Sequence, residues 1–226
     1  MYLVTRVHPN VVATKHGPAV SMRGRRGPQP IHLRQGQIDG ACGPHCVLMA
    51  LMALRVVRRG WVIDWPATAP HAVKTALRLT SKWYFSGTDV RNLAQLLKPL
   101  HRSVTTRVSK ASHSAVIPFI LENLAEERLV VVGVKNGANR LDHWTLVVGV
   151  AGVQKREHFT PQHFLLLDPS EDPLPFLQWN STLTVTAHQP RSRARLWRER
   201  DGKSMNVTLH HALAIGRWDK RSKDHG

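Results

Sequence analysis

Three residue types in this 226-residue chain can together perform covalent catalysis: a thiol, an imidazole and a carboxylate. The thiol is Cys42, in the string Gln37-Ile38-Asp39-Gly40-Ala41-Cys42-Gly43-Pro44, which runs directly into an apolar helical stretch. A cysteine at a helix start meets unsatisfied backbone N–H groups and the positive end of the helix dipole, and both favour a thiolate over a thiol. The thiolate is the nucleophile, and such positions bring a cysteine pKa from about 8.5 into the range of about 3.5–7.5. The imidazole is His143, in Asp142-His143-Trp144 before a β-branched run, and the carboxylate is Asp168, in Leu167-Asp168-Pro169 after another. A histidine at one strand's start and an acid at the exit of its antiparallel neighbour share one edge of a sheet. The acid can then orient the imidazole, which takes the proton from the thiol. Gln37 is the candidate side-chain donor to a developing oxyanion, with Gln35 as its competitor, and the backbone N–H of Cys42 is the second donor.

Each residue also has a plainer reading. A free cysteine is most often a small buried hydrophobe, a strand-edge histidine is often only hydrogen-bonded, and an aspartate before proline is a turn former. The order and spacing of the three favour catalysis. His45 lies one helical turn from the thiol and points poorly for a base. Cys46, four residues after Cys42, reads as core packing, because a bridge between two cysteines on one helix face distorts the backbone. The 14 histidines raise the question of a metal, yet there is no HExxH and no paired Cys-x2-Cys. His210 and His211 are adjacent in an expected strand and are therefore expected on opposite faces. Neither a metal nor a cofactor is expected, and no GxxxxGK[ST] phosphate loop is present.

The elements that must position these groups follow from periodicity. Residues 42–57 read as a helix that is apolar on nearly every side and hence buried. A second helix is expected over 71–82, and a third after Thr88 as N-cap, with Val90, Leu93, Leu96 and Leu97 along one face. Residues 103–108 alternate like a strand, and Ser112 or Ser114 opens a helix through Glu127 with Pro118 inside it. Beyond that the period changes to strands at 129–134, 144–150, 164–167, 183–186 and 205–215. Turn signals stand at Asn136-Gly137 and between Gly149 and Gly152. Residues 1–30 read as a basic Gly/Pro-rich arm with one short strand near 2–7. Helices first and an antiparallel sheet second is an α+β layout. A single domain is expected over 31–226, with a basic insertion near 190–204.

The arrangement resembles the papain-like cysteine peptidases, and within them the C39-like peptidase family. The resemblance rests on Cys42-Gly43-Pro44-His45-Cys46 after a glutamine and a short polar turn, on His143-Trp144 followed by Thr145-Leu146-Val147-Val148-Gly149, and on Leu167-Asp168-Pro169, and it covers about residues 31–170. It implies a papain-like fold with a buried nucleophile helix packed on a C-terminal antiparallel sheet. It also implies Cys42 as nucleophile, His143 as general base and then acid, Asp168 as orienting acid and Gln37 in the oxyanion hole. Such enzymes often carry that glutamine six residues before the cysteine, the place that Gly36 holds here, with Gln37 five before and Gln35 seven before. The implied activity is hydrolysis of an amide or peptide bond in a peptide or protein substrate through a thioester. The same triad also runs deamidation, transglutamination and acyl transfer. An inactive scaffold acting as a basic binding protein is the alternative outside the enzyme class.

A net charge of +17 and a pI near 11.2 mark attraction to anionic partners: nucleic acid, a membrane surface or an acidic protein. The basic residues gather at 23–26, 55–59, 191–203 and 220–223, without an RRM, KH, helix-turn-helix or zinc-finger pattern. The longest apolar run, residues 46–54, is far short of the ~20 residues that span a bilayer, so no transmembrane segment is expected. Nothing at the start has the apolar core of a signal peptide, and the expected location is cytoplasmic, a specialised export route aside.

Overall fold

The runs of valine and leucine in the second half pair into long antiparallel strands in the computed structural model, which describes residues 1–22, 27–36, 39–64, 68–110, 113–136, 142–185, 196–200 and 203–218. The chain opens with β1 (Tyr2–Val7), β2 (Val11–Thr14), β3 (Gly17–Val20) and β4 (Gln29–Pro30). Four helices follow: α1 (Cys42–Ala53), α2 (Arg59–Ile63), α3 (His71–Ser81) and α4 (Val90–Leu97). Then come β5 (Val104–Ser109), α5 (His113–Ala125), β6 (Leu129–Asn136), β7 (Asp142–Lys155), β8 (His158–Leu167), β9 (Ser181–Thr184), β10 (Leu196–Arg200) and β11 (Lys203–Arg217).

The sheet closes on itself. β7 pairs with β6, β6 with β11, β11 with β10, β10 with β9, β9 with β8, and β8 returns to β7, all antiparallel. β1 and β5 attach outside this ring, along β7 and β11 respectively, and β2, β3 and β4 form a separate three-stranded sheet. Alternate residues of each strand therefore serve two cores. Val130, Val132, Val147, Phe164, Leu166 and Leu183 pack with Val116 and Ile120 of α5. Their neighbours Leu129, Val131, Leu146, Val148, Leu165 and Leu167 pack with the apolar residues of α1, α3 and α4. α1 is buried at every residue but His45, as its all-round apolar sequence requires. The molecule is α+β with an antiparallel sheet.

Several local expectations change. α1 ends at Ala53 rather than 57, because Arg55 adopts a left-handed backbone, φ 59°. There Arg55 N and Val56 N cap the carbonyls of Met52 and Leu51, each at 2.9 Å, a Schellman-type stop. α4 is capped by Asp89, not Thr88: the Asp89 carboxylate accepts from Asn92 N at 2.7 Å and the Asn92 side chain accepts from Asp89 N at 3.0 Å. Gly149 and Gly152 lie inside β7 instead of marking a turn. A Cβ on Gly149 would stand 2.4 Å from the Arg6 carbonyl, and one on Gly152 would stand 2.2 Å from that of Thr160. These glycines admit neighbouring strands, and the hairpin turns instead at Arg156, φ 52°. Part of the basic stretch is β10, inserted between β9 and β11. The N-terminal segment read as an arm is tied to the ring through β1.

Candidate active site

The site begins where the loop before α1 turns into helix. Asp39, buried, holds that loop: its carboxylate accepts from Gly36 N at 2.6 Å and from Ala41 N at 3.0 Å. The Gln35 side-chain amide donates to the Asp39 carbonyl, so its N–H2 group braces the loop rather than facing a substrate. Gly40 N donates to the Tyr84 carbonyl at 2.7 Å, and a Cβ at Gly40 would meet Gly87 N at 2.7 Å. Gly43 is more tightly enclosed, with a Cβ there falling 2.3 Å from Thr88 Oγ1 and 2.8 Å from Leu93 Cδ2. Pro44 fits the helix's first turn, where a missing N–H costs nothing. Trp144 Nε1 donates to the Thr88 carbonyl at 2.9 Å, and Cys46 Sγ donates to the Trp144 carbonyl at 3.3 Å. Together these contacts press the start of α1 against the start of β7.

Cys42 is therefore the first residue of α1, with only 7% of its surface exposed, and no side chain caps the helix end it occupies. Burial pushes its thiol pKa up. The hydrogen bond and charge of His143, with backbone hydrogen bonds at Trp144 and Gly43, pull it down further, and the net direction is below the ordinary thiol value.

His143 and Asp168 stand at the rim of the ring. His143 pairs with Val134 across β6 and β7, and Asp168 follows Leu167, the last residue of β8. By alternation both belong to the face that carries Val134 and Leu166. His143 Nε2 and Asp168 Oδ1 are 2.8 Å apart, with the histidine side chain 20% exposed and the aspartate fully buried. With Nε2 so engaged, Nδ1 is the ring nitrogen left to meet Cys42. Asp168 Oδ1 also accepts from Ser170 N at 2.9 Å and Ser170 Oγ at 2.7 Å. These donors favour the charged carboxylate. Its backbone is gripped as well: Asn180 Oδ1 accepts from Asp168 N at 2.7 Å, and Asn180 Nδ2 donates to Asp168 O at 2.9 Å. His32 Nε2 lies 3.0 Å from the same carbonyl. Burial, and then the charge of Arg59, push the His32 pKa down to about 4, so this ring is neutral near pH 7.

The chain matches no family model and no curated protein.

The structure brings Cys42, His143 and Asp168 together. Gln37 lies outside the described residues, and Gln35 is committed to its own loop. His45 is half-buried with its ring edge-on to Tyr84, at 6.4 Å between centroids. Cys42 and Cys46 do not form a disulfide. Sequence reasoning missed Asn180, His32, Ser170 and Asp39, the residues that hold the acid and the nucleophile loop. The pairing of Asp39 with the string before Cys42 was the one visible hint, as an Asx-type turn former.

One expectation about the histidines is overturned. A bulge between His210 and Ala212, with His211 at φ 47°, brings the two rings together, Nδ1 to Nδ1 at 3.1 Å. A bulge breaks the alternation on which opposite faces depend. Among the described residues no group of three or more His, Cys, Asp and Glu is placed to hold a metal ion. No described helix is long and apolar enough to cross a membrane. Of the basic segments, residues 55–59 are partly spent internally: Arg59 donates to the His32 carbonyl at 2.7 Å, and Arg58 stacks over Trp61. Residues 23–26, 191–195 and 220–223 lie outside the described residues.

Proposed function

We propose that this protein is a papain-like thiol hydrolase, a C39-like cysteine peptidase, cleaving an amide bond through Cys42, His143 and Asp168. The observation that carries the reading is the relay from a buried, activated thiol to an imidazole held at 2.8 Å by a buried carboxylate. A nucleophile on a helix start, facing a base and an acid on the rim of an antiparallel barrel, also supports a papain-like fold.

In this reading the Cys42 thiolate attacks the carbonyl carbon while His143 carries the thiol proton. The oxyanion takes the backbone N–H of Cys42, with Gln37 as the side-chain donor. His143 delivers its proton to the leaving amine and then withdraws one from water, which resolves the thioester. Asp168 stays charged throughout and holds the imidazolium in orientation.

The decisive experiment compares wild type with Cys42→Ala for labelling by an epoxysuccinyl electrophile and for cleavage of a diverse peptide library read by mass spectrometry. Loss of both in the variant is expected. Cleavage that persists in Cys42→Ala would overturn the reading. Glutamine conversion without cleavage would move it to a deamidase or transferase on the same triad.

A further inference from the structure

Between α4 and the end of β5 lies an open groove of about 510 Å³ that the proposed hydrolysis does not use. Its floor is apolar, from Val90, Ala94 and Val108. Val90 is buried, Ala94 is half-buried, and Val108 is 41% exposed. Its rim is cationic, from Arg91, Lys98 and Lys110, all three exposed.

Charge is handled differently here from the neighbouring surface. Toward α5, Arg107 is neutralised by Glu122 and Glu126 at 3.2 and 3.0 Å. At the groove, Asp89 is committed to capping α4, and Arg91, Lys98 and Lys110 have no ion-pair partner among the described residues. Arg91 also stands in the first turn of α4, at the positive end of the helix dipole, where a cation destabilises the helix that carries it. Nothing within α4 calls for that charge.

The spacing of the rim says what can neutralise it. Arg91 lies in α4 and Lys98 is its C-cap. A separation of seven residues puts them on one helix face, about 10 Å apart along the axis, with Ala94 between them. One small anionic head group cannot meet both ends. A flat bilayer cannot reach a floor recessed below its rim. A single strand of nucleic acid is held by stacking its bases on aromatic rings, and this floor has none. An amphipathic helix meets every demand, because its apolar stripe is flanked by polar residues on both margins. Its own residues seven apart fall on one line at the same spacing of about 10 Å. The stripe and the margins face the groove together, so floor and rim are filled by one element, and the small side chain of Ala94 admits it.

We propose that this groove docks an acidic amphipathic helix of a partner protein. Its apolar stripe packs on Val90, Ala94 and Val108, and carboxylates two turns apart on one margin pair with Arg91 and Lys98. A carboxylate on the other margin pairs with Lys110, on the β5 wall. Such helix-in-groove docking takes its affinity from the apolar anchors, and the charges select the partner. Neither Cys42 nor His143 takes part, so the site stands whether or not the protein is a hydrolase.

The test measures fluorescence polarisation of a labelled peptide of about five helical turns, with leucines along one stripe and glutamates on both margins. A hydrocarbon staple on its polar back keeps it helical. It is titrated with the full chain carrying Cys42→Ala, so that turnover is removed. Saturable binding is expected. It should weaken at least tenfold in Arg91→Glu/Lys98→Glu/Lys110→Glu, and less than threefold in a charge-matched control, Lys15→Glu/Arg78→Glu/Lys155→Glu. All six positions are exposed, and a melting curve for each triple verifies the fold. Ala94→Gln, which fills the groove without changing its charge, should weaken binding at least fivefold. A stapled peptide of the same composition with its leucines scattered around the helix should bind at least tenfold more weakly. Equal losses in the two triples, or equal binding of the scattered peptide, would overturn the proposal in favour of diffuse attraction to a basic protein. An oligothymidine whose binding is lost in the groove triple, with no binding of the peptide, would overturn it in favour of nucleic acid.

Discussion

The acid end and the nucleophile end of the candidate site are held by opposite means. Asp168 is held by polar side chains: Ser170 and His143 on its carboxylate, Asn180 and His32 on its backbone. Cys42 is held by shape, with Gly43 wedged against Thr88, Leu93 and Trp144. The difference follows from what each group must do. A buried carboxylate needs its lone pairs satisfied, because desolvation without partners costs several kcal/mol. The position of Cys42 is fixed instead through the backbone behind it, with its sulfur turned to His143.

Breaking the acid end at its centre should have the largest effect. Asp168→Ala is expected to lower kcat/KM by about 10³–10⁴-fold, measured on any substrate that the wild type cleaves, while the protein still folds. A loss below tenfold would mean that the Ser170 and Asn180 network serves the fold and not the imidazole.

Acid should loosen the same end through His32. Its folded pKa, about 4, lies below the ordinary histidine value, so the unfolded chain takes up a proton first as pH falls. The stability from a neutral His32 is complete above pH 6.5 and declines between pH 6.5 and 4, by about 3 kcal/mol in all. Melting curves across that window should show the decline, and His32→Gln should flatten it. An equally steep decline in the variant would assign the effect to His8 and His45, whose pKa values are also lowered by burial.

At the nucleophile end, Gly43→Ala should destabilise the protein by about 1–3 kcal/mol, the usual cost of overpacking. A Cβ 2.3 Å from Thr88 Oγ1 forces the helix start away from Trp144. Pairing it with Thr88→Ala should recover part of the loss, read by thermal melting, if shape is the constraint. The smallest effect belongs to Ser170→Ala, which removes one hydroxyl from Asp168 and should cost about 1 kcal/mol. That loss should be seen in kcat more than in stability.

The same contrast explains how much could be read from the chain alone. Cys42, His143 and Asp168 were legible because each sits at the end of a strongly periodic run, and the ends of runs can be located from sequence. The α+β order of helices before strands was legible for the same reason. Closure of the strands into a ring was not, since β11 returning to pair with β6 is a long-range choice that no local pattern encodes. Asn180 and His32 were hidden because they reach Asp168 from 12 and 136 residues away and carry no spacing signature. Gly149 and Gly152 misled because a glycine that admits a neighbouring backbone looks the same in sequence as a glycine that turns the chain. The His210 and His211 rings were misplaced because one bulge cancels the period-two rule.

The closed ring of strands has a consequence in time. Most of what lowers the Cys42 pKa comes from His143 and Trp144, among the first residues of β7, and the clamp on Asp168 comes from Asn180, later still. A nascent chain therefore carries its thiol through most of synthesis without the groups that arm it. On the proposed reading, reactivity arrives only once β7 and the later strands are in place, so the growing polypeptide is shielded from the Cys42 thiolate by the order in which it is built.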